Sequence, residues 1–254
     1  MRKLLSSIII IVLLFALAPS VFAANTLEVF EPRTWVLKRS IAVGTDSLIE
    51  DVYCEAYWCW IIDSTGGAGK KLQLFFVDWR TGEAVAINDF DIQVGAGSWG
   101  LTSCGGETLY VGDTFSEGMP LAVLSNIRVL DRKGNTLKNV NRAYLNITIG
   151  NSPQDLACNG KNLVMAYNSS AGQNLYATID PTYDVVLSES NSVGRTFLAF
   201  DFNGRDYFTA LKIGPNNYGV NTGILGLIIT GVKQITNEPQ GFFFDGMNVI
   251  SARR

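Results

Sequence analysis

Phe200-Asp-Phe-Asn-Gly-Arg-Asp-Tyr-Phe208 decides how this chain is read, because the same short unit returns along it. One copy is Phe242-Phe-Phe-Asp-Gly-Met-Asn-Val-Ile250 and another is Leu156-Ala-Cys-Asn-Gly-Lys-Asn-Leu-Val-Met165. A third is Leu101-Thr-Ser-Cys-Gly-Gly-Glu-Thr-Leu-Tyr-Val111. Each reads as an apolar strand, a tight turn at Gly and a second apolar strand. The dipeptides Gly105-Gly106, Asn159-Gly160, Asn203-Gly204 and Asp245-Gly246 predict type I′ hairpins, whose two central residues both take positive φ. A divergent copy, Val52-Tyr-Cys-Glu-Ala-Tyr-Trp-Cys-Trp-Ile-Ile62, has Glu55-Ala56 at the turn, so that turn must be built differently.

The turn positions Ala56, Gly106, Gly160, Gly204 and Gly246 are 50, 54, 44 and 42 residues apart. Spacing in the forties is typical of four-stranded propeller blades. Third strands fit between the hairpins: 72–82 (LQLFFVDWRTG), 127–134 (IRVLDRKG) and 175–184 (LYATIDPTYD) each run into a turn opened by Asp. The final hairpin stops at Arg254, which leaves its blade without an outer pair. Residues 27–44 align with 175–194, allowing two gapped positions, and supply that pair. The expected fold is therefore all-β, a five-bladed β-propeller closed by pairing the N-terminal outer strands with the C-terminal hairpin in one blade. Closure leaves only short, protected edges. A two-sheet sandwich or a β-solenoid is the competing reading of alternating strands with Gly turns.

The repeat resembles the degenerate DG-x-x-Y-L-V propeller repeat of secreted proteins, and the resemblance covers nearly all of the chain after its leader. It implies the fold and says little about function, since propellers host lectins, glycosidases, scaffolds and receptors.

Residues 1–23 read as a secretory signal and 24–254 as one domain. Arg2 and Lys3 form a basic start, 8–18 is an apolar run and Val21-Phe22-Ala23 is a cleavage pattern. The run is short for a membrane span, which needs about 20 residues, so no span is expected after signal removal; 225–232 (LGLIITGV) is strand-sized. Cleavage moves the formal charge from −3 to −5, because Arg2 and Lys3 leave. No basic stripe supports nucleic-acid binding. The expected location is secreted or cell-surface.

All four cysteines, Cys54, Cys59, Cys104 and Cys158, lie in the exported part, where disulfides persist. Three connectivities stay open. Cys54, Cys104 and Cys158 align at one repeat position, so they read either as small buried residues or as a bridge between neighbouring blades with Cys59 in a second pair. Asn146-Ile-Thr and Asn168-Ser-Ser are glycosylation sequons.

The chain has no His, which removes Ser-His-Asp and Cys-His mechanisms and His-based metal sites. No cofactor motif appears and no cofactor is expected. The remaining route to catalysis is a pair of carboxylates, as in glycosidases. Asp51 with Asp155, at inner-strand entries where other blades carry Leu101, Ala199 and Gly241, is the candidate pair. Their plain reading is as solvated strand-end acids. The long loops 63–71, 113–120, 168–174 and 213–223 gather on the face opposite the tight hairpins, so a site is expected there. Trp99, Phe115 and Tyr218 are its candidate ligand-binding aromatics, while Trp58 and Trp60 read as packing residues. The expected function is non-enzymatic, extracellular binding or surface structure, with a glycan or extracellular protein as partner. A five-bladed glycoside hydrolase and a subunit of a larger cell-surface assembly are the alternatives.

Overall fold

A computed structural model describes residues 25–44, 48–65, 69–94, 100–115, 124–141, 150–169, 174–191, 197–215, 217–223, 233–235 and 238–253. The first full blade comprises β3 (Leu48–Glu55), β4 (Trp58–Thr65), β5 (Gly69–Asp78) and β6 (Glu83–Val94). The second comprises β7 (Gly100–Thr102), β8 (Thr108–Phe115), β9 (Leu124–Asp131) and β10 (Thr136–Asn141). The third comprises β11 (Gly150–Cys158), β12 (Leu163–Ser169), β13 (Asn174–Asp180) and β14 (Val185–Asn191). The fourth comprises β15 (Phe197–Phe202), β16 (Tyr207–Gly214), β17 (Asn217–Gly223) and β18 (Lys233–Ile235). The fifth is made by both ends of the chain, β19 (Pro239–Phe244) and β20 (Val249–Arg253) with β1 (Thr26–Phe30) and β2 (Leu37–Ala42), in the order β19-β20-β1-β2. Every pairing is antiparallel, and β1 lies against β20 with Leu27 opposite Ala252 and Val29 opposite Ile250. The inner strands β3, β7, β11, β15 and β19 touch in that order and return to β3.

The apolar core lies between blades, because each middle strand buries both of its faces. Along β4, Cys59 and Ile61 pack towards the fifth blade with Leu27 and Val29, while Trp60 and Ile62 pack towards the second with Leu101 and Val111. The other three gaps hold clusters around Tyr167 and Leu175, around Tyr176 and Phe200, and around Phe208 and Phe242. Outer strands are wetter: β2 is exposed at all but one of its positions. Trp35 departs from that rule. It takes φ 57° at the end of the β1–β2 turn and is buried, with its ring 5.6 Å from Phe208 and 5.5 Å from Phe242.

The outer turns follow their sequence signal. Asp78 Oδ1 accepts the N–H groups of Arg80 and Thr81, and Asp180 Oδ1 those of Thr182 and Tyr183. In the chain-closing blade Glu31 does the same for Thr34. The inner hairpin of the second blade meets the type I′ expectation, with φ 85° at Gly105 and 70° at Gly106, and those of the other blades differ from it. In the third, fourth and fifth blades only the Gly has positive φ, at 91° for Gly160 and Gly204 and 97° for Gly246. Asn159, Asn203 and Asp245 instead hold the turn with side-chain oxygens, each accepting the N–H groups two and three residues on. Ala56 supplies the positive φ, 51°, in the first blade.

Two disulfides form. Cys54–Cys59 crosses the first hairpin, and Cys104–Cys158 joins the second blade to the third. The shared repeat position expected for Cys104 does not hold. Leu101 N–H meets Asp51 as Phe200 N–H meets Asp155, which makes Gly100, not Leu101, the counterpart of Asp51. The second hairpin is one residue longer before its turn, and Cys104 sits one place further out than Cys54.

Candidate functional site

Two constellations form on the axis, an acidic belt inside the ring and a cavity at its mouth. Asp51 and Asp155, the carboxylates picked from sequence, are brought together within hydrogen-bonding reach. They are not the solvated strand-end acids of the plain reading, since each is 1% exposed. Their oxygens are taken by backbone. Asp51 accepts its own neighbour Val52 N–H at 2.7 Å and Leu101 N–H of the next blade at 2.5 Å. Asp155 accepts Leu156 N–H at 2.7 Å and Phe200 N–H of the next blade at 2.6 Å. Asp201, which the sequence reading passed over, repeats the device one layer nearer the hairpin face and accepts Phe244 N–H at 2.6 Å.

These acids are clasps between blades. The room for them comes from small residues in the other inner strands. A Cβ on Gly241 would lie 1.7 Å from Asp51 Oδ1, and one on Gly100 would lie 2.5 Å from Leu156 N. Burial pushes both Asp51 and Asp155 well above the usual carboxylate range, and the neighbouring like charge adds to the rise at Asp51. The pair therefore holds a proton at pH values where a free Asp has lost it, and titrates as a unit. Burial likewise raises Asp201 to about 7.

The cavity opens among the tight hairpins and measures about 830 Å³, within the size range of small-molecule sites. All five blades contribute to it. Its wall carries Tyr53, Trp79, Phe202, Phe243 and Phe244, with the carboxylates of Glu55, Asp201 and Asp245. No Lys or Arg lines it among the described residues. At one edge Arg132 reaches from the second blade to the first. Its guanidinium lies 5.3 Å from the Tyr53 ring centroid and 5.1 Å from that of Trp60, and it donates to Glu55 Oε1, Ser103 Oγ and the Gly106 carbonyl. Trp79 Nε1 donates to the Ala56 carbonyl and fixes that indole against the first hairpin.

The other site candidates are scattered. Trp99 and Asn146 lie outside the described residues, as do the signal 1–23 and the segment 225–232. Phe115 ends β8 and Asn168 pairs with Asn174 between β12 and β13. The stretch 213–223 is not a long loop: β16 and β17 pair through most of it, from Gly214↔Asn217 to Tyr207↔Gly223. Tyr218 is thus a strand residue, 8% exposed, whose hydroxyl donates to Glu238. Trp58 is 43% exposed rather than packed, beside Phe76 at 5.4 Å, while Trp60 is buried. The cavity lies among the tight hairpins, on the face opposite the one expected to carry the site.

No family model matches this chain, and no curated protein does. Among solved structures it is similar to hydrazine synthase of Kuenenia stuttgartiensis, with 14% identity over 89% of this chain and 67% of that one, at a TM-score of 0.49. It is also similar to the WD40 domain of Neurospora crassa Pan2, with 9% identity over 82% of this chain and 89% of that one, at a TM-score of 0.40.

Proposed function

We propose that this protein is an exported, non-enzymatic binding propeller whose partner is an extracellular protein or glycan. The ligand-sized cavity at the mouth of a closed, five-bladed ring carries this reading. Two disulfides suit an oxidising compartment, and no helix among the described residues is long and apolar enough to cross a membrane. The repeat resembles the DG-x-x-Y-L-V kind, with Asp or Asn before Gly in the third, fourth and fifth blades. The glycosidase alternative is disfavoured by the state of its acids. Paired carboxylates in glycosidases stand about 5–9.5 Å apart around a substrate. Asp51 and Asp155 interact side chain to side chain, lie buried and bind backbone.

A screen of the chain from Ala24 against a glycan array and a panel of extracellular proteins tests the proposal. A specific ligand is expected, and its loss in Phe243→Ala would put it in the cavity. Loss in Trp99→Ala instead would put it on the long-loop face. Glycoside hydrolysis that Asp51→Asn abolishes would replace the binding reading with the enzymatic one.

A further inference from the structure

The wall of the axial cavity is unbalanced in charge. Three carboxylates line it without any Lys or Arg among the described residues. All three are engaged. Glu55 pairs with Arg132 and accepts the Tyr53 hydroxyl, Asp245 holds its own turn through Met247 and Asn248 N–H, and Asp201 accepts the N–H groups of Phe202 and Phe244. Asp201 is the one of the three that is buried inside the ring. It is 7% exposed, lines the cavity, and accepts backbone N–H, yet no cation pairs with it among the described residues. Phe202, Phe243 and Phe244, all partly exposed, line the same cavity. A nearly buried carboxylate in a cavity that aromatic side chains also line favours one class of ligand. Ring faces attract a cation and the carboxylate neutralises it. The thin hydration of an ammonium or guanidinium on an alkyl stem suits the apolar part of the wall.

We infer that the axial cavity is a receptor for an organic cation, a protonated amine or guanidinium on an alkyl stem, with Asp201 as its counter-ion and Phe202, Phe243 and Phe244 as its walls. This deepens the binding reading and rests on it. The shared chemistry has two sources, a Lys or Arg side chain of a partner protein and a free small amine. Burial raises Asp201 to about 7, and the titratable groups that face it are Asp155 and Tyr207; cation binding draws the Asp201 proton off and strengthens as pH rises.

Calorimetric titration of the exported chain tests this with n-butylammonium and n-butylguanidinium against neutral 1-pentanol, at pH 8 and pH 5.5. The expected result is a preference of about tenfold or more for the cations at pH 8, with cation affinity about tenfold lower at pH 5.5. In Asp201→Asn, which keeps an oxygen for Phe244 N–H, both the preference and the pH dependence should vanish. Phe202→Leu should weaken the cations and leave their pH dependence. A short blocked peptide with one Lys, compared with its norleucine twin, separates the sources. Tighter binding than n-butylammonium points to a partner protein, and equal or weaker binding to a small amine. Equal binding of cations and pentanol by the unaltered chain, no cation binding at millimolar concentration, or affinity independent of pH would each overturn the inference. A ligand found by the glycan and protein screen with no cation effect would leave the binding proposal standing without this one.

Discussion

At the residue scale the buried acids carry the most consequence. Asp201 has its folded pKa raised to about 7 by burial, above the unfolded value of about 3.9. The folded state therefore binds more protons between those values. The stability this contributes is full below about pH 4 and is lost as pH rises through about 7, on the order of 4 kcal/mol in all. Asp51 and Asp155 push the same way. The turn residues Asp78 and Asp131 push oppositely: hydrogen bonds lower them, so their contribution is lost as pH falls through their depressed values. Urea midpoints should accordingly fall from pH 5 to pH 8, and Asp201→Asn should flatten that slope. An unchanged slope in the variant would assign the titration elsewhere. Gly100 gives a second test at this scale. Its Cβ would run into backbone of the third blade, so Gly100→Ala should cost about 3 kcal/mol, read as a lowered Tm.

At the scale of elements, blades are joined by different devices at different gaps. The first and second are clasped by Asp51 and by Arg132 stacked on Tyr53 and Trp60. The second and third share Cys104–Cys158, with an outer Lys138–Asp184 ion pair. Asp155 clasps the third to the fourth and Asp201 the fourth to the fifth. The fifth meets the first through Arg39, which donates to the Trp79 carbonyl. The two disulfides should not weigh equally. Chain-entropy reasoning gives about 4 kcal/mol for Cys104–Cys158, which spans 54 residues, and about 2 kcal/mol for Cys54–Cys59, which spans 5. Equilibrium unfolding of the paired Cys→Ser variants measures that difference, and equal losses would mean that the interblade bridge adds no constraint beyond the packing.

For the whole molecule, closure is the controlling feature. The fifth blade is assembled from both termini, and Arg253 reaches back to Glu28 across its middle seam. A chain starting at Leu48 would leave the edge of β20 unpaired and uncover Leu27's partners in the core between the fifth and first blades. Such a chain should lose its cooperative thermal transition and self-associate through the open edge. A sharp, monomeric transition in that truncation would show that four and a half blades suffice. A closed ring also holds the cavity wall rigid, because five hairpins from five blades meet there.

The number of blades, their spacing, the Asp-opened outer turns and the joining of the two chain ends were legible in the order of residues, because each follows from local pattern: alternation, turn chemistry and repetition. The lack of His-based chemistry follows from composition, while the export signal expected over 1–23 lies outside the described residues. The site was only half legible. Asp51 and Asp155 are legible as a pair, but one of the two backbone donors to each lies in another blade, some fifty residues away. Asp201 was hidden in the very stretch that revealed the repeat. Its signal was an acid where the neighbouring repeats place Ala157 and Phe243. Trp35, Trp58 and Tyr218 could not be sorted into core and surface from strand period, since both faces of a blade are covered and exposure depends on what the next blade brings. Pairing of the cysteines, the clasps between blades and the cavity at the axis are products of ring geometry, which sets side by side residues that no local pattern connects.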